Sequence, residues 1–176
     1  MVRPPSRIGL DRLLVTDAAF SAYLAVPAGP MRLLALLIAH SGDSPLWLAG
    51  ALAALLWGAP PWPSLGLRVL AATVAGGATA TLLKWFFRRS RPGGPATGLY
   101  SRLDRHAFPS GHATRVACTA VILAPLLPGW GIGLLVAWAG LVSLARVALQ
   151  IHYLFDVIVG MALGGLIGLV LAAALA

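Results

Sequence analysis

Charge is scarce in this chain. Only 10% of its 176 residues are charged, 59% are apolar, and the mean hydropathy is +0.87. A water-soluble domain carries about 25% charged residues, so the polar surface of a globule in water is missing and the chain reads as a membrane protein. Cysteine is nearly absent too. The lone Cys118 excludes an internal disulfide and any cysteine metal cluster, and its place in an apolar run predicts plain packing. No stretch is left over for a separate soluble domain, which makes residues 1–176 a single integral-membrane domain. The formal charge of +8 does not point to nucleic acid, because that reading needs a basic face on a soluble fold. Anionic lipid is the expected partner. Arg3, Arg7 and Arg12 give the start of the chain a basic character, yet no long apolar stretch with a small-residue cleavage site follows, so the N-terminus is expected to be retained.

Long apolar runs are what the chain does have. Residues 65–87, 111–127, 129–149 and 153–175 are each long enough to cross a bilayer. Residues 45–58 are apolar but short for a crossing unless they borrow from 33–40, and the prolines at 60, 61 and 63 mark a turn. Residues 11–40 mix Asp11, Arg12, Asp17 and Arg32 with leucines and are interrupted by Pro27 and Pro30. They predict either a helix in the interface or a short, broken first span. The expected fold is an all-α polytopic bundle of five spans, or six, since unalternating runs of this length exclude barrel strands. Gly160, Gly164 and Gly168 recur at four-residue intervals, and residues 75–80 are small, as close helix contact requires.

Ionisable residues near apolar spans cost about 2.5–3.5 kcal/mol at a bilayer centre and need a reason to be there. In the C-terminal part, Arg146, His152 and Asp156 sit together at the junction of two spans. On a helix, positions four apart share a face, so Asp156 can accept from one imidazole nitrogen of His152 and leave the other facing outward. A cap or a cross-link between helices explains the pair equally well. Among thirteen Lys and Arg the only lysine is Lys84, at the end of a span and seven residues before Arg91-Pro92. Pro109-Ser110-Gly111-His112 stands where the long polar loop ends. Ser110 is a natural N-cap, and unpaired amides at the helix start beyond it suit an anion. His112 would stand beside that anion as a proton donor.

Taken together, Lys84-x6-Arg91-Pro92, Pro109-Ser110-Gly111-His112 and Arg146-x5-His152-x3-Asp156 resemble the three-part signature of the type 2 phosphatidic acid phosphatase superfamily, which also includes vanadium haloperoxidases. The resemblance covers residues 84–156. One position departs from it: Ala145 stands where the family usually has serine before the arginine of the third part. The resemblance implies that His152 attacks phosphorus and becomes a phosphohistidine, with Asp156 holding its tautomer. It further implies that Lys84, Arg91, Arg146, Ser110 and the Gly111 amide bind phosphoryl oxygens, and that His112 protonates the leaving oxygen and later activates water. Fixed cations then supply what a metal supplies elsewhere, and neither a metal nor another cofactor is called for.

Arg88 and Arg89 fall outside the matched positions and read as snorkelling interfacial arginines. His40 and His106 read as structural, and Arg102, Asp104 and Arg105 as shaping a loop that sets headgroup specificity. A site at span ends suits a lipid whose phosphate lies at the interface, and the family implies a phosphatidic-acid-like lipid phosphate or a polyprenyl pyrophosphate. The six basic residues from Lys84 to Arg105 would place their loop in the cytoplasm by the positive-inside rule. Most bacterial relatives of this kind work on the outer face of the cell membrane, and charges recruited for phosphate binding are poor topology markers, so that is the orientation expected here. A haloperoxidase is disfavoured by the membrane composition. A non-enzymatic protein that binds or transports anionic lipid would keep the basic residues but have no use for His112 or the His152–Asp156 pair.

Overall fold

The computed structural model describes residues 5–94 and 105–175, with the backbone alone for residues 5–11. Among the described residues every regular element is helical: α1 (Pro5–Tyr23), α2 (Pro30–His40), α3 (Ser44–Trp57), α4 (Trp62–Phe87), α5 (Gly111–Leu123, extended by a 3-10 turn over Ala124–Leu126), α6 (Gly129–Ala148) and α7 (Leu154–Ala174). Proline punctuates the chain as its fixed φ dictates, standing in the first turn of α2, α3 and α4.

Three helices among the described residues, α4, α6 and α7, are long and apolar enough to cross a membrane. The other expected spans are shorter. With 13 residues α5 rises about 20 Å. Residues 33–40 and 45–58 do not merge into one crossing, because the turn at Ser41–Asp43 separates α2 from α3. The segment expected to be interfacial or broken is two helices, α1 and α2, parted before Pro30.

Helix α5 is the buried centre. Ala113, Val116, Cys118 and Ile122 are buried on it, and α4, α6 and α7 surround it. Cys118 packs with Ala51, Val69 and Ala72 as an ordinary core residue. The outward faces of α6 and α7 carry exposed Leu134, Val136, Leu141, Ile158, Leu166 and Val170, as lipid contact requires.

Contact between α5 and α7 is close because the glycines of α7 have no side chain. A Cβ on Gly160 would lie 2.7 Å from the Ser110 carbonyl oxygen, one on Gly168 would lie 3.0 Å from that of Cys118, and one on Gly164 would collide with the Thr114 carbonyl. Every fourth residue of α7 thus rests on every fourth carbonyl of α5. Gly164→Ala is therefore expected to lower the thermal midpoint in detergent by an amount corresponding to about 1–3 kcal/mol of overpacking. Gly165→Ala, where an added Cβ meets nothing within 4 Å, should leave the midpoint unchanged or raise it. Equal midpoints for the two variants would contradict this packing.

Candidate active site

Three stretches far apart in sequence end at the same place. Lys84 lies in the last turn of α4, where the carbonyl end of the helix dipole favours a cation, and it is only 5% exposed. The helix stops at Arg88, which adopts a left-handed conformation (φ 50°) and returns its N–H to the Lys84 carbonyl, sending the chain toward Arg91. Ser110 caps α5, its hydroxyl accepting from the Ala113 N–H at 3.5 Å. Arg146 lies in the last turn of α6. After α6 a second left-handed residue, Gln150 (φ 58°), reverses the chain so tightly that the N–H groups of Ile151 and His152 both donate to the Arg146 carbonyl.

Between these helix ends lies a cavity of about 580 Å³. Lys84, Arg91, Arg115 and Arg146 bring four cations to its wall, joined by Gly111 and His112, and α2 and α3 close it with His40, Asp43, Pro45 and Leu48. Gly111 matters here for its size. A Cβ on it would stand 3.4 Å from the Arg115 guanidinium and 3.8 Å from Lys84 Nζ, filling space among the cations. At the same end of α4 the aromatic rings of Trp85, Phe86 and Phe87 are exposed, the pattern of a helix end at a membrane–water interface.

His152 and Asp156 lie behind this wall, both fully buried. They do not share a continuous helix. His152 precedes α7, while Asp156 is in its first turn, and the Nδ1–Oδ2 separation is 3.7 Å. Asp156 is held from several sides. Oδ2 accepts from the Tyr153 N–H at 2.9 Å, Oδ1 from Arg89 at 2.7 Å, and its backbone carbonyl from the Ser110 N–H at 3.0 Å. The last bond ties the second sequence motif directly to the third.

Arg89 corrects the sequence reading. It does not snorkel to lipid: its guanidinium spans Asp156 on α7 and Asp17 on α1, 2.7 Å from each, and lies 4.0 Å over the Tyr153 ring. Asp17 also accepts from the Phe155 N–H, and Ser21 accepts from Leu154, so α1 braces the turn that carries His152. Arg88 is exposed, as expected of a surface arginine. His40 likewise has a partner, since its Nδ1 meets Asp43 Oδ2 at 2.7 Å, while Asp43 Oδ1 meets His112 Nε2 at 2.7 Å. The hydrogen bond from His112 holds the Asp43 carboxyl at about 2, below its ordinary 3.8, with His40 assisting against the opposing effect of burial. Asp43 is thus an anion throughout the neutral range.

Of the residues singled out from sequence, Lys84, Arg91, Gly111, His112 and Arg146 line the cavity, whereas Ser110, His152 and Asp156 lie buried beside it. Ala145 is turned away from the cavity, packing with Ala35, Ala39 and Leu149, so the departure at this position puts an apolar contact on α2. Arg105 is exposed, and Arg102 and Asp104 lie outside the described residues. Among the described residues, no three His, Cys, Asp or Glu side chains are placed to hold a metal ion. Sequence reading missed Asp17, Asp43, Arg89 and Arg115. The signal available for the aspartates was scarcity, because only five acidic residues occur in the chain and each one near an apolar span needs a partner.

The sequence pattern of the PAP2 superfamily matches residues 65–176. Over 92 residues the chain is 36% identical to the decaprenylphosphoryl-5-phosphoribose phosphatase of Mycobacterium tuberculosis, in strains CDC 1551 / Oshkosh and ATCC 25618 / H37Rv. That alignment covers 52% of this chain and 50% of the relative, so the chain spans about half the length of the curated relatives it matches. Among solved structures, the transmembrane PAP2 type phosphatidylglycerolphosphate phosphatase from Bacillus subtilis superimposes with a TM-score of 0.76 at 25% identity, covering 93% of this chain and 86% of that one. Aquifex aeolicus LpxE shares the fold with a TM-score of 0.69 at 19% identity, over 87% of this chain and 92% of that one.

Proposed function

This chain belongs to the PAP2 superfamily, and from that premise we propose that it is an integral-membrane phosphatase that cleaves a lipid phosphate or pyrophosphate through a histidine nucleophile. The observation that carries this reading is the convergence of Lys84, Arg91 and Arg146 on one cavity from three separate helix ends. Phosphoryl transfer depends on holding a tetrahedral anion in line and neutralising its oxygens, and fixed cations in a sheltered pocket do both. His152 attacks phosphorus, and Asp156 keeps its imidazole in the tautomer that leaves the attacking nitrogen bare. The ring has no exposed surface in the resting arrangement, so the entering phosphoryl group has to draw the covering side chains aside. His112 gives its proton to the leaving oxygen and takes one from the water that releases phosphate.

The exposed aromatic rings at this end of α4 support a reading in which the reacting phosphate lies at the depth of lipid headgroups, with the tail left in the bilayer. A polyprenyl-linked phosphate is the favoured substrate, in keeping with the name of the mycobacterial relative. The active site faces the extracytoplasmic side of the cell membrane; an impermeant reagent applied to intact cells should label a tag inserted between residues 94 and 105, and protection of that tag would reverse the orientation.

The direct test is phosphate release by the purified protein in detergent, measured over a panel of polyprenyl, phosphatidyl and glycolipid phosphates with chelator present. Release should persist in chelator, and vanadate should inhibit competitively, since its five-coordinate form resembles the transferring phosphoryl group. If no lipid phosphate is cleaved by folded protein, the enzymatic reading is lost and anionic-lipid binding replaces it.

A further inference from the structure

The cavity contains an acidic residue that the three motifs do not include. Asp43 occupies the N-cap position of α3, in the turn after α2, without capping the helix through its side chain; its two carboxylate oxygens are used separately, Oδ1 by His112 Nε2 and Oδ2 by His40 Nδ1, each at 2.7 Å. On the other side of the His112 ring, Nδ1 lies 3.3 Å from an Arg115 guanidinium nitrogen. Arginine has only protons to offer, so Nδ1 is the accepting nitrogen and the proton of the neutral ring sits on Nε2, directed at Asp43. The bare nitrogen therefore faces the cation cluster. We propose that Asp43 is a positioning residue for His112, selecting the tautomer in which Nδ1 exchanges protons with substrate and balancing the imidazolium charge among the surrounding cations.

The inference rests on reading the cavity as a phosphatase site. In the first half-reaction the entering phosphate, as its singly protonated monoanion, first gives its proton to the bare Nδ1 of His112; the bond from phosphorus to the leaving oxygen then breaks as a bond to His152 forms, and that Nδ1 proton passes to the leaving oxygen. In the second, water attacks phosphorus, its proton goes to His112 Nδ1, and the bond to His152 breaks. The imidazolium exists before the first transfer and after the second. At both moments Arg115 and Arg146 stand against it and Asp43 opposes them. His40 is mostly exposed and anchors the second oxygen, so that the carboxylate cannot swing toward the arginines.

A leaving group that needs no proton separates positioning from general structural damage. With an alkyl or prenyl phosphate, Asp43→Asn should slow single-turnover cleavage about 100-fold, the usual scale of general acid catalysis. With p-nitrophenyl phosphate the first equivalent of nitrophenolate should appear within about threefold of the wild-type rate, followed by slow turnover because water activation is impaired. KM should change little. In a His112→Ala background the same substitution should cost nothing further. Equal slowing with both leaving groups, or no slowing with either, overturns the proposal. A readout independent of turnover is the 15N spectrum of the His112 ring in the resting protein. Wild type should show a protonated Nε2 and a bare Nδ1, Asp43→Asn should show mixed tautomers, and a protonated Nδ1 in neutral wild type overturns the assignment. If wild type cleaves neither probe while the tautomer is as described, the phosphatase reading fails and the pairing stands.

Discussion

His152→Gln is expected to abolish phosphate release, with a loss of at least about 10⁴-fold in kcat, because on the proposed mechanism the covalent intermediate forms on this ring and an amide cannot replace it as nucleophile. Glutamine is preferred to alanine for this measurement. His152 is fully buried, and truncation to alanine would leave a hole between the Arg146 carbonyl, which holds the His152 N–H, and the linked Tyr153–Asp156 turn, mixing a folding defect with a chemical one. The result is read as inorganic phosphate released by protein that elutes and melts like wild type. A second measurement looks for the intermediate itself: radiolabel from a 32P-labelled lipid phosphate should attach to the wild-type chain in an acid-labile, alkali-stable bond, and none should attach to His152→Gln. Activity within tenfold of wild type would remove His152 from the nucleophile role and return the cluster to a binding function.

The next largest effect is expected from the Arg89–Asp156 pair. Asp156→Asn preserves shape but offers the His152 ring an amide, so the tautomer is no longer dictated and the imidazolium formed on attack loses its counter-charge. By analogy with other histidine–aspartate pairs, kcat should fall by about 10³–10⁴-fold. Arg89→Ala attacks the same unit from the other side. It strands the buried Asp156 carboxylate and the Asp17 carboxylate together, and losing one partner of a buried ion pair costs about 3–5 kcal/mol. That variant should therefore lose stability as well as activity. Arg89→Lys should not restore either, because a single ammonium cannot reproduce the fork that reaches two carboxylates on different helices. A thermal midpoint unchanged by Arg89→Ala would mean that the bridge carries no weight in the fold.

These expectations differ in where they could be seen. Lys84 and Arg91 stand seven positions apart, and His152 and Asp156 stand four apart, distances at which spacing along the chain already limits how the side chains are disposed. Arg89 is separated from Asp17 by 72 positions and from Asp156 by 67, and Asp43 is separated from His112 by 69. No local pattern relates such residues. Arg89 was misread for a definable reason. At a helix end next to exposed phenylalanines a snorkelling arginine is the ordinary outcome, and only the approach of α1 and α7 supplies the carboxylates that turn it inward. Helix length was fixed in a different way. Hydropathy registers how apolar a run is but not where its hydrogen-bonded ladder stops: polar Ser41–Asp43 part α2 from α3, and α5 ends at Leu123 although its run stays apolar to Leu127.

Composition and period alone determined that the chain is helical and membrane-bound, because an apolar run without alternation can satisfy its backbone in lipid only by coiling. The same local order singled out the residues proposed to carry phosphoryl chemistry, since each motif is a few residues around one helix end. Which helix ends meet, and which carboxylate then faces which histidine or arginine, was decided by tertiary packing. Glycines on α7 let two backbones touch, and that contact, rather than any spacing along the chain, sets Ser110 against Asp156 and closes the wall of the cavity.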